Sequence, residues 1–137
     1  MKRTLYEFDA TLERVVDADT LDLSFDLGFG VHLARRIRLV GPDGEYVDAF
    51  ETRGQERERG LIAKAYVTSK LVDLKPDLLV RTTLESGKYG RVLASVNVAP
   101  RGGPGWDLAE ALHDHGYLRR YGDVVYDLDS PYTPLTT

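Results

Sequence analysis

The chain has 137 residues, of which 42% are hydrophobic and 29% charged, and a formal net charge of −4. That size and balance describe one globular domain with its own core and exclude a disordered chain. The lack of cysteine excludes disulfide frameworks and thiolate metal sites, and the negative charge argues against broad adhesion to a phosphate backbone.

The basic residues are 13 arginines and 5 lysines, with clusters at Arg35, Arg36, Arg38 and at Arg119, Arg120. Arginine forks suit bidentate phosphate capture, although such clusters are more often solvated faces. No apolar run follows Lys2 and Arg3, and no stretch approaches the length of a membrane span. The expectation is an intracellular, cytoplasmic monomer with no membrane partner.

In chain order, Tyr6, Phe8, Ala10 and Leu12 alternate with Glu7, Asp9, Thr11 and Glu13, the period of a half-buried strand running to Val16. Asp17-Ala18-Asp19 is a tight connection. Leu21, Leu23, Phe25 and Leu27 form a second strand of the same kind, Gly28-Phe29-Gly30 turns the chain, and His32 to Val40 is a third. Connections this short make the meander antiparallel. Gly41-Pro42-Asp43-Gly44 is a turn signal, with Glu45-Tyr46-Val47 returning as the second arm of a small hairpin. The loop Asp48 to Gly54 precedes a helix over Gln55 to Val72, whose apolar face is read as Leu61, Ile62, Ala65 and Val72. Gly60 inside it costs about 1 kcal/mol against alanine, which points to close packing on a neighbour. Leu78 to Leu84 and Val92 to Val98 are two further strands joined through Glu85 to Gly90. A second helix follows, with Asp107 and Glu110 spaced as a capping box and Gly116 as its C-cap. From Gly122 the chain lacks a period and reads as an extended tail. The ordered core therefore spans about 6–121 within a single domain of 1–137, and residues 122–137 are the tail. Five strands with a helix after the third predict an α+β protein, a small five-stranded β-barrel with helices at its rim, of which the OB-fold is the commonest nucleic-acid-binding form.

Two constellations carry chemistry. Asp19 and Asp48 meet if their loops open at the same rim, and with a main-chain carbonyl and waters they make a calcium site. Glu51, one helical turn from Asp48, would reach a metal-bound water and orient or deprotonate it. Each carboxylate taken alone reads more readily as a surface charge or a cap. Arg36 and Arg38 share one strand face, and Arg91 opens the fifth strand beside a glycine turn. Such forks would hold the charge that builds on phosphorus during phosphodiester hydrolysis, and each taken alone reads as a surface ion pair. The three histidines do not converge on a metal.

The order of these motifs resembles the thermonuclease (staphylococcal-nuclease-like) domain family over about Phe8 to Tyr121. The resemblance is carried by Asp17-Ala18-Asp19-Thr20, Asp26-Leu27-Gly28-Phe29-Gly30, Arg36-Ile37-Arg38-Leu39, Asp48-Ala49-Phe50-Glu51-Thr52-Arg53-Gly54, Glu58-Arg59-Gly60-Leu61 with Ala63-Lys64, Lys88-Tyr89-Gly90-Arg91 and Leu108-Ala109-Glu110-Ala111-Leu112. It implies a staphylococcal-nuclease-like OB barrel and a calcium-dependent nuclease that cleaves DNA or RNA with little sequence specificity. It further implies metal ligands Asp19, Asp48 and the Ala49 carbonyl, with Glu51 acting on the attacking water. Arg36 and Arg91 would grip the phosphate, and Tyr89 and Lys88 would line the nucleotide pocket. The competing reading is a catalytically inactive domain of the same fold that binds nucleic acid or protein. Three departures stand out: Ala18 replaces a glycine, Phe50 replaces a proline, and seven residues, Val40 to Tyr46, are inserted before Asp48. Asp43 and Glu45 would avoid the insertion but lack the Thr-Arg-Gly that follows Glu51, so Asp48 and Glu51 are taken as the site.

Overall fold

A computed structural model describes residues 5–100 and 102–129, apart from the side chain of Lys88. Its centre is a closed five-stranded mixed barrel with two helices, built from β1 (Tyr6–Asp17), β2 (Thr20–Asp26), β3 (His32–Leu39), β5 (Asp77–Ser86) and β6 (Val92–Ala99). The first three strands form the expected antiparallel meander. Closure comes from a parallel pairing of Ile37, Arg38 and Leu39 on β3 with Val92, Leu93 and Ala94 on β6. β1 serves two neighbours: residues from Ala10 onward pair with β2, while Tyr6 to Ala10 pair with β5. Register shifts between Leu12 and Arg14 and between Val15 and Asp17 bend it, because bulges add the local twist a closed barrel needs.

The inward positions of the alternating strands fill the barrel. Leu21, Leu23 and Phe25 meet Ile37, Leu39, Leu78, Val80, Ala94, Val96 and Val98 in one buried cluster. Helix α1 (Arg57–Thr68) is entered through a 3-10 turn at Gly54–Glu56 and left through a π turn at Ser69–Asp73, so the helical stretch has the expected extent. Its buried face differs from the expected one. Gly60, Ala63, Tyr66, Val67 and Leu71 are buried, whereas Leu61, Ala65 and Val72 are exposed. Small residues at Gly60 and Ala63 allow the close approach, and a reading weighted to large apolar side chains rotates the face. A β-carbon on Gly60 would stand 2.0 Å from the Glu51 carbonyl oxygen and 2.9 Å from that of Phe50. The helix therefore rests directly on the backbone that follows Asp48.

A second, smaller sheet places that backbone. β4 (Val47–Ala49) pairs antiparallel with β8 (Leu118–Tyr121), which pairs with β9 (Val124–Val125). Asp48 thus sits on a strand rather than in a loop, and the segment after Gly122, read as an extended tail, begins as a hairpin arm; residues 130–137 lie outside the described residues. The remaining strand, β7 (Trp106–Asp107), borders β6 and leads into α2 (Leu108–Asp114). The N-cap half of the expected capping box is present: the Asp107 side chain accepts from the Glu110 N–H at 3.0 Å. Among the described residues no helix is long and apolar enough to cross a membrane.

Two stability predictions follow from this packing. Gly60→Ala should cost about 1–3 kcal/mol, the usual range for overpacking, read as a lower urea midpoint. Burial is the main cause that raises the Asp107 carboxyl to about 6. A folded-state pKa above the unfolded one stabilises the fold at low pH, and this contribution fades as pH rises through about 6. Asp107→Asn, which retains a cap, should flatten the stability–pH curve between the model-peptide carboxylate range and about 6.

Candidate active site

The turn between β1 and β2 presents Asp17, Ala18 and Asp19. Ala18 is buried without a positive φ, so the residue that replaces a glycine carries no backbone strain. Asp19 is buried, and burying a carboxylate demands partners. Its Oδ1 accepts from Thr20 Oγ1 at 2.9 Å, and its Oδ2 accepts from the Ala49 N–H at 2.9 Å and from Arg38 Nη1. Arg38 also donates through Nη2 to the Val47 carbonyl at 2.5 Å and to Asp48 Oδ1 at 3.4 Å. One guanidinium therefore joins the barrel turn to β4 and brings Asp19 and Asp48 together.

The inserted segment leaves this junction intact. Val40 and Tyr46 form a bridge, Gly41 N–H donates to the Glu45 carbonyl at 2.9 Å, and Gly44 N–H donates to the Gly41 carbonyl at 2.9 Å. The chain leaves β3 and returns at the same point. Phe50, in the place of a proline, is buried with the Arg59 guanidinium 5.4 Å from its ring centre. Glu45 faces elsewhere, accepting from Tyr121 Oη at 3.4 Å.

A cleft of about 830 Å³ opens over the junction, lined by Asp19, Asp48, Ala49, Glu51, Tyr89 and Arg91 among others. Six of the eight residues expected at the site are thus gathered from separate elements. Arg91 Nη1 lies 3.4 Å from Thr20 Oγ1, and its Cζ is 5.5 Å from the ring centre of Tyr89, which is 91% exposed. Glu51 is exposed at the rim, and its N–H donates to Glu56 Oε2 at 2.8 Å. The side chain of Lys88, the seventh, lies outside the described residues.

Arg36 is the correction. It is not among the cleft residues; it pairs with Asp22 on the barrel exterior, Nε to Oδ1 at 2.7 Å and Nη2 to Oδ2 at 3.1 Å. The hydrogen bond to Arg36 holds the Asp22 carboxyl below its usual range. Arg38 lines the cleft instead. Both arginines share a strand face, so alternation does not separate them. The register does, pairing Arg38 with Thr20 at the turn and Arg36 with Asp22 two residues along.

Sequence reasoning also passed over four residues as site residues. Arg53 and Tyr46 line the cleft, the latter carried in by the insertion with Arg38 Cζ 5.5 Å from its ring centre. Arg119 on β8 donates through Nε to Asp48 Oδ2 at 2.8 Å, through Nη2 to the same oxygen, and through Nη1 to Glu56 Oε1 at 3.2 Å. No local signal marks Arg119 or Glu56, because their meeting depends on the pairing of β4 with β8.

The donor chemistry suits a hard cation. Asp17, Asp19, Asp48 and Glu51 line one cleft with oxygen ligands only, and Asp17 is raised above its usual carboxyl range, first by burial and next by repulsion from Asp19. A guanidinium cation, that of Arg119, already bridges Asp48 and Glu56. Among the described residues no three Asp, Glu or His side chains converge as a ready metal cage, so two carboxylates, a carbonyl and water would share the ligation.

No family model matches the chain, and no curated protein matches it. The resemblance rests on the motifs and on their convergence in the cleft.

Arg38→Ala should leave Asp19 buried without its charged partner and cost about 3–5 kcal/mol. Arg36→Ala should leave the unfolding midpoint within error of the wild type, because its pair is solvent-exposed. Denaturant titration of both variants tests the assignment; equal losses would return Arg36 to consideration.

Proposed function

We propose that this protein is a calcium-dependent nuclease with a staphylococcal-nuclease-like OB barrel, hydrolysing phosphodiester bonds of DNA or RNA. The observation that carries this reading is the convergence of Asp19, Arg38, Asp48, Glu51, Tyr89 and Arg91 on one cleft from four stretches of the chain. Arg91 and Arg38 flank the carboxylates and would bind the non-bridging phosphate oxygens. The contacts to Asp19, Val47 and Asp48 engage three of the Arg38 N–H groups, and a guanidinium has five. Arginine on phosphorus stabilises charge that grows in the transition state, an effect of the oxyanion-hole kind.

Glu51 projects at the rim, and among the described residues no guanidinium clamps its carboxylate, so it would accept the proton of an attacking water. Its backbone is held by Glu56 below and by Gly60 behind, which restricts where that carboxylate stands. Tyr89 offers an exposed face for a base. Asp19, Asp48 and the Ala49 carbonyl would hold calcium, whose chemistry there is Lewis-acid polarisation of the phosphoryl group. Phosphate contacts position a strand without reading it, and a cleft supplied with arginines and tyrosines favours low sequence specificity.

One observation favours the non-catalytic reading: every oxygen of Asp19 and Asp48 already accepts an N–H or O–H from within the chain. Digestion separates the two readings. Plasmid DNA and a structureless RNA should be cut with calcium at millimolar level, and chelator should abolish cutting. Glu51→Gln should lower turnover by about 10²-fold or more, whereas Glu45→Gln should not change it. Retention of bound oligonucleotide without any cleavage would identify a binding domain instead.

A further inference from the structure

Arg119 joins the carboxylate cluster from β8, outside the barrel. Its fork engages a single oxygen of Asp48, Oδ2, while Arg38 engages the other, Oδ1. The two arginines differ in access: the Arg38 side chain is 13% exposed and the Arg119 side chain 39%. Arg38 also has a main-chain acceptor in Val47 and a buried partner in Asp19, so it is locked. Arg119 has an alternative acceptor already in contact, Glu56, at 3.2 Å.

We propose that Arg119 is a displaceable internal cation, which competes with a divalent cation for Asp48 and opens the metal site by moving wholly onto Glu56. The inference builds on the calcium reading above and extends it to a residue that no motif includes. Charge bookkeeping supports it. Asp19, Asp48 and Glu56 contribute three negative charges, Arg38 and Arg119 two positive, leaving −3 + 2 = −1. A dication added to that arrangement makes it +1, with Arg119 and the metal contending for the same Asp48 oxygen. Like charges at ligand distance repel strongly in a partly buried site, so one of them leaves. Arg119 is the one with solvent access and a second carboxylate to go to.

The move also reaches the catalytic side. Glu56 Oε2 accepts the Glu51 N–H at 2.8 Å, and the Arg119 Nη1 lies 3.5 Å from that same oxygen. Drawing Arg119 fully onto Glu56 changes the charge that anchors the Glu51 turn. Cation binding and the placement of Glu51 are thereby coupled through one guanidinium with two positions.

Calcium chloride titrated calorimetrically into the full chain tests this directly, with Arg119→Gln, Arg119→Ala and Glu56→Gln beside the wild type. Arg119→Gln should bind calcium at least about tenfold more tightly, because a competitor lowers apparent affinity by its own occupancy. Glu56→Gln should bind it more weakly than wild type, since Arg119 then has no second carboxylate. Adding Asp48→Asn to Arg119→Gln should erase the gain. Circular dichroism melts confirm folding, and the glutamine variant keeps side-chain donors near Asp48 if the alanine variant unfolds. Unchanged or weaker calcium binding in folded Arg119→Gln overturns the proposal, as does the absence of calcium binding in every variant. Cleavage of DNA by a wild type whose calcium affinity is insensitive to Arg119 would overturn it while leaving the nuclease reading in place. Tighter calcium binding without cleavage by any variant would do the reverse.

Discussion

The Asp19–Arg38–Asp48 bridge is the interaction on which the site depends. Asp19 is buried at a barrel turn, where an ionised carboxylate stands only with charged and hydrogen-bonded partners. Arg38 meets that demand and, by donating also to Val47 and Asp48, fastens the small second sheet to the barrel. The Ala49 N–H adds a main-chain tie to the same Asp19 oxygen. The carboxylate proposed to hold the cation and a contact that ties the two sheets together are here the same atoms. The site is consequently stiff at its base and exposed only at its rim, where Glu51 and Tyr89 stand.

That stiffness continues behind the rim. Gly60 lets α1 lie against the carbonyls of Phe50 and Glu51, a distance that leaves no room for a side chain. Phe50 is buried beneath the Arg59 guanidinium. The segment from Asp48 to Arg53 is therefore held by a strand pairing at its start, an aromatic anchor in its middle and a helix along its back. The seven-residue hairpin immediately upstream begins and ends at the Val40–Tyr46 bridge, so the chain re-enters this segment where it left β3. That hairpin contributes Tyr46, an exposed ring whose centre lies 5.5 Å from Arg38 Cζ and 6.0 Å from Arg120 Cζ.

The distribution of charge reconciles an acidic chain with the phosphate-binding role proposed for the cleft. The net charge of −4 is a property of the whole sequence, whereas affinity for a phosphate depends on the local field of the cleft. Arg38, Arg53 and Arg91 line it together with four carboxylates. Such a mixed lining binds weakly at long range and depends on geometry at short range, which suits chemistry at one phosphate better than tracking along many.

How much of this was legible in the chain depends on the range over which each interaction acts. Alternation in Leu21–Leu23–Phe25, the Gly-Pro-Asp-Gly turn and the Asp107 cap are local, and local physics sufficed for the barrel strands, the hairpin and the start of α2. Gly60 signalled its close contact by sitting in a helix at a cost. That Asp19, Asp48 and Glu51 share one cleft was legible through motif order. The tertiary structure alone decided between Arg36 and Arg38, because both obey the same period and only the register against Thr20 and Asp22 separates them. It alone closed the barrel through β3 and β6, turned Asp48 from a loop residue into a strand residue, and brought Arg119 to it from 71 positions away. Pairings of that reach leave no imprint on neighbouring residues: the backbone hydrogen bonds that make them are the same for any side chains, and the partner strand is set by how the whole chain packs.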